Sequence, residues 1–132
     1  MDLLQLEPIV TTQLKVRVPK LTNNKYPKMS FTNEISDNEP SFPNVYIHEL
    51  EPTELGTDLE NKTIHALRST FQIEVTTNTS KSDARIVINA CVNAMKGLRY
   101  SMVSAPTYTK INNIHRFIFR ARRTIANGDT FN

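Results

Sequence analysis

Residues 114–125 read IHRFIFRARRTI, and their charged side chains recur at the period of a β-strand. Arg116, Arg120 and Arg122 fall on one face of such a strand with Ile118 between them, and Arg123 falls on the other. Arg68, in a second alternating segment, can join them from a neighbouring strand. Guanidinium groups bind oxyanions in a forked, two-point manner, so a row of them suits two kinds of partner. One is a phosphate backbone, bound through charge and counterion release. The other is a set of carboxylates on a neighbouring subunit. A solvated sheet face making surface ion pairs is the plain alternative, although Ile118 within the row favours contact with a partner. No aromatic side chains interleave with the arginines, so stacking on bases is not expected.

A second cluster is acidic. Glu49, Glu51, Glu54, Asp58 and Glu60 lie close together, but without the alternate-residue spacing of a calcium loop. They read as a solvated or partner-facing segment. The histidines, His48, His65 and His115, each lie in or beside a predicted strand, and ordinary polar-face roles fit them better than a metal site. Cys91 is the single cysteine and lies on an apolar helical stripe, so it is expected in the core rather than as a nucleophile. No phosphate-loop, dinucleotide, metalloprotease or nucleophile-elbow motif occurs, and three glycines leave little for a phosphate-cradling loop. No catalytic residue, metal ligand or cofactor is therefore assigned.

The elements that would hold these residues follow from periodicity. Leu6, Val10, Leu14 and Val18 recur every fourth residue, which predicts a helix over 3–19 with Pro8 in its first turn and Pro19 stopping it. Residues 22–43 read mostly as loop with a short edge strand near 29–32. A strand is predicted over 44–50, where NVYIHEL is rich in β-branched and aromatic residues. The polar stretch 51–63, with Pro52 and Gly56, reads as a connection. Strict alternation predicts a strand over 66–76, wet on one face. Ser80 to Asp83 fits a capping box opening a helix over 80–96, with Gly97 as the residue that ends it. Strands over 100–104 and 114–125 follow, then a frayed tail over 126–132. The resulting class is α+β: one domain, an antiparallel sheet of four to five strands with two helices packed on one face.

Length and charge bound the rest. The chain has 132 residues, enough for one domain, and its 39% hydrophobic and 22% charged composition is that of a folded protein. No stretch approaches 18 apolar residues, and the start MDLLQLEP lacks the basic and apolar regions of a secretion signal. The net charge of +3 hides a division. Residues 1–63 carry ten acids and six bases, a net of −4, whereas residues 64–132 carry three acids and ten bases, a net of +7. Such polarity suits contact with nucleic acid, or pairing of one half of a subunit with the opposite half of a neighbour.

Three stretches carry a resemblance. FPNVYIHELEPTE (Phe42 to Glu54), STFQIEVTTNTSKSDAR (Ser69 to Arg85) and FIFRARRTIANGD (Phe117 to Asp129) are similar, in order and pattern, to the tail terminator or tail-completion proteins of long-tailed bacteriophages. The likeness covers about residues 42–129. It implies a structural virion protein without catalytic residues or cofactors, assembled in the bacterial host cytoplasm. It also implies a homohexameric ring at the head-proximal end of the tail. Its implied partners are other copies of the chain, the tail tube protein, a head-completion or connector protein, and DNA passing non-specifically through a central channel, with no membrane. On this reading the arginine row and the acidic segment are subunit, tube or channel contacts. A head–tail connector or adaptor subunit is the nearest alternative, and a small basic nucleic-acid-binding protein a further one.

Overall fold

The computed structural model describes residues 6–33, 41–57 and 64–126. Leu3, the connection beyond residue 57 (with Asp58 and Glu60) and the tail beyond residue 126 lie outside the described residues. The elements, in chain order, are α1 (Leu6–Leu21), β1 (Ser30–Thr32), β2 (Asn44–Thr57), β3 (Ile64–Thr77), α2 (Lys81–Gly97), β4 (Ser101–Ile111) and β5 (Ile114–Ala126). They build an α+β fold around one five-stranded sheet of order β1-β2-β3-β5-β4. All pairings are antiparallel except β1 with β2, which is parallel, so the sheet is mixed rather than wholly antiparallel.

Alternation decides which face is covered. On β3 and β5, Leu67, Phe71, Ile73, Val75, Phe119, Ala121 and Ile125 are buried and meet α2, whose Ala84, Val87, Ile88, Cys91 and Met95 form the facing stripe. The stripe of α1 (Leu6, Val10, Leu14 and Val18) is fully buried, and α1 packs against α2 and, to a lesser extent, β2. The Ser80 hydroxyl accepts from the Asp83 N–H at 3.1 Å and caps α2. Asp83 is tied in turn by Thr79, which donates at 2.6 Å, and by Tyr26, which donates at 2.8 Å. These bonds, that of Thr79 first, hold its carboxyl below the usual range.

Four boundaries differ from the sequence expectation. Pro19 does not stop α1, because a proline near a helix end forfeits one backbone bond and little else. The helix runs to Leu21, and Asn23 and Asn24, at φ 56 and 55, turn the chain away. The segment read as an acidic connection is strand through Thr57. A register shift between Leu50 and Thr53 marks a bulge at Glu51-Pro52, where a missing N–H breaks no ladder bond. β4 extends to Ile111 instead of ending near 104. Its register slips between Met102 and Ser104 and again across Pro106, between Ser104 and Thr107, and Asn112 and Asn113, at φ 49 and 66, join it to β5 in a two-residue turn. Finally, α2 ends through Leu98, and Arg99, not Gly97, takes the left-handed conformation, with φ 68. Gly97 has a different use: a Cβ there would come within 2.8 Å of the Arg17 guanidinium.

Candidate functional site

The side of the sheet turned away from the helices carries the predicted row. Arg116, Ile118, Arg120 and Arg122 share that face of β5, opposite Thr76, Glu74, Gln72 and Thr70 of β3. Arg68 joins them opposite Thr124. Across the other side of β5, β4 contributes Ser101, Ser104, Thr107 and Thr109. The arginines therefore stand in a field of hydroxyl and amide groups, with one acid, Glu74, among their partners on β3.

Their charges are not equally engaged. Arg116 pairs with Glu74, and its side chain keeps 37% of its exposure. Gln72 donates to the same Glu74 oxygen at 3.1 Å and accepts from Arg120 Nε at 3.0 Å. The sequence Arg116–Glu74–Gln72–Arg120 is thus one hydrogen-bonded chain that fixes two guanidinium planes. Its single carboxylate neutralises one of two charges. Arg68 and Arg122 are exposed and have no carboxylate partner among the described residues.

Arg123 is a different kind of residue. It lies on the helix-covered side, 7% exposed, and its Nη1 donates to the Leu98 carbonyl at 2.9 Å. A guanidinium at the last carbonyls of α2 complements the negative end of the helix. Beside it Tyr100 packs edge-on to Phe71 at 5.9 Å, and its hydroxyl shares a bond of 2.8 Å with Ser69. Burial raises the Tyr100 phenol to about 12.

The acidic cluster is divided as well. Glu49 lies opposite Phe71 on the covered side and accepts from the Glu7 N–H in the first turn of α1. Burial, then the nearby Glu7 carboxylate, raises its pKa. It is tied to α1 rather than presented in a loop. Glu51 is exposed at the bulge, Glu54 sits in β2 opposite Leu67, and Asp58 and Glu60 lie outside the described residues. His48 is on the open side, stacked on Tyr46 at 6.1 Å, whereas His115 is on the covered side, its Nδ1 bonded to the Tyr108 hydroxyl at 2.8 Å. These two histidines do not converge. Cys91 is wholly buried, and burial pushes its thiol up, away from nucleophilic use.

Two features had no reading in the sequence. The first is the edge strand β4, which leaves Met102, Val103 and Ile111 exposed by 39%, 49% and 67%. The second is a cleft of about 410 Å³ lined by Arg99, Ser101, Arg122, Arg123 and Thr124. Ser101 is the last β4 residue to pair with β5, at Arg122, while β5 continues to Ala126. The cleft is the notch this mismatch leaves. The only trace of it in the sequence is the pair of neighbouring arginines in β5.

Among the described residues no helix is long and apolar enough to cross a membrane. No protein-family model matches the chain, and no curated protein matches it in sequence. Among solved structures, it is similar to a chain of the virion of a native gene transfer agent particle. The identity is 17%, 86% of this chain and 90% of that chain are covered, and the TM-score is 0.44.

Proposed function

We propose that this protein is a structural virion protein of the tail terminator or tail-completion kind. It forms a closed ring of identical subunits at the head-proximal end of a phage tail, ends growth of the tail tube and joins tail to head. The reading rests on the three sequence stretches that resemble that family and on one structural observation. The sheet is covered by helices on one face only, and its open face carries a stitched arginine row beside an edge strand with three exposed apolar side chains. A face with fixed guanidinium planes, Ile118 and adjoining apolar groups is suited to contact with protein. Its sign is opposite to that of the acidic stretch of β2 and the connection after it. In a head-to-tail ring two different faces of one subunit meet, so opposite charges favour closure. In this arrangement Glu51, Glu54, Asp58 and Glu60 of one subunit oppose Arg68, Arg120 and Arg122 of the next, or the tube surface.

Native mass measurement of the protein, alone and with tail tube protein, tests the reading. A ring-sized species that binds tube is expected from the wild type, and subunits from Arg120→Glu/Arg122→Glu. A strictly monomeric wild type that ignores the tube would overturn the assignment. A reversed-charge variant that still assembles would overturn the role given to the arginine face.

A further inference from the structure

We propose that the notch between the end of α2 and the exposed end of β5 is an oxyanion site that takes a phosphate group, either free or within a polynucleotide backbone. The proposal shares Arg122 with the subunit contact proposed above and concerns subunits in which that arginine is not engaged by a neighbour. Three guanidinium-bearing residues and two hydroxyl-bearing residues line the cleft (Arg99, Arg122, Arg123, Ser101 and Thr124), and among the described residues no carboxylate lines it. Arg123 is anchored to the Leu98 carbonyl. With Arg123 held in place there, beside the negative end of α2, the charges open to a ligand are those of Arg99 and Arg122. Arg99 and Arg122 are both exposed and lack an acidic partner among the described residues. Two guanidinium groups beside two hydroxyl donors match the several acceptor oxygens and the charge of a phosphate better than they match a single carboxylate.

The backbone supplies a second, independent observation. Arg99 holds φ 68, the position after a helix where glycine is ordinarily found, and every other described non-glycine residue with positive φ is an asparagine. Glycine would relieve this strain but would remove the guanidinium from the rim of the cleft. Strain retained at a charged, exposed position points to use of the side chain.

Titration calorimetry with inorganic phosphate, at ionic strength matched with chloride, tests the site. Saturable binding is expected for the wild type. Arg99→Gly and Arg122→Gln should each weaken it by about tenfold, the loss of one charge-assisted hydrogen bond. Arg85→Gln, about 20 Å away at the other end of α2, should leave it unchanged. Arg99→Gly should also raise the unfolding midpoint, and loss of binding with a raised midpoint cannot be read as loss of fold. A labelled DNA oligonucleotide that binds the wild type, is displaced by phosphate and is lost in the same two variants assigns the phosphate to a polynucleotide. Phosphate binding without oligonucleotide binding assigns it to a free or small-molecule phosphate. No saturable phosphate binding, binding indifferent to both variants, or capture of an acidic peptide in place of phosphate would overturn the proposal.

Discussion

Arg99 shows how one side chain can be set against its own backbone. A left-handed conformation costs a residue with a Cβ about 1–2 kcal/mol relative to its preferred regions, and glycine escapes most of that. Arg99→Gly should therefore stabilise the fold by about 1 kcal/mol, visible as a higher urea midpoint at unchanged slope. Glu49 is a second residue held at a disadvantage, by burial and by the Glu7 carboxylate. An acid whose folded pKa is raised binds its proton more tightly in the folded state. Stability then grows as the pH falls from above the raised value towards the unfolded value of about 4.3. Glu49→Gln keeps an oxygen for the Glu7 N–H and removes the charge. It should be more stable than the wild type at pH 7, with the advantage shrinking as the pH approaches 4. An advantage constant with pH in denaturant titrations would refute the cause given. Neither residue is singled out by the sequence: Arg99 lies two residues beyond a glycine suited to end the helix, and Glu49 stands among acids of the same kind.

The elements were legible wherever one rule governed them. Alternation on β3 and β5 and the four-residue spacing on α1 need no tertiary information, because one buried face imposes the period. The α2 start was equally plain, and Ser80→Ala should cost about 1 kcal/mol in denaturant unfolding. Asp83, held low chiefly by Thr79 and then by Tyr26, adds stability that is full above the unfolded carboxylate range and lost as the pH falls through its depressed value. Asp83→Asn should accordingly flatten the acid side of the stability profile below about pH 4. Legibility failed at prolines. Pro52 reads as part of a connection and Pro106 lies just beyond the strand predicted over 100–104, yet each sits within a strand where the ladder is interrupted by a bulge or register slip. That is a tertiary fact, set by the neighbouring strand. The Asn112-Asn113 turn was the available clue to a longer β4, since paired asparagines flanked by alternating residues specify a tight hairpin. The arginine row could be placed on one face because it lies within a single strand. The cleft could not be, because it depends on where β4 stops pairing with β5.

At the scale of the molecule, the charge division and the uncovered face are one feature. The basic half supplies α2, β3, β4 and β5, and the outward side of these strands is left without a covering layer, whereas the acidic half supplies the opposite margin of the sheet. The β4 edge adds a second element to that surface. Pro106 and two register shifts guard it against continuous strand pairing, as sheet edges commonly are guarded. Yet Ile111, which pairs with Ile114 on the open face, and Val103, at a register shift, remain as separate exposed apolar contacts. If subunits meet there through side chains rather than through a shared ladder, Val103→Lys/Ile111→Lys should leave each subunit folded. Exposed substitutions usually change stability by no more than about 0.5 kcal/mol each. The same change should abolish self-association in native mass measurement, even at low salt, where the arginine contacts are strongest. Reversal at Arg120 and Arg122 should instead give an assembly defect by removing attraction between unlike charges. The two variants thus separate the apolar from the ionic part of one interface. A lysine variant that still forms the full assembly would confine the interface to the arginine face and leave the apolar β4 edge for a different partner.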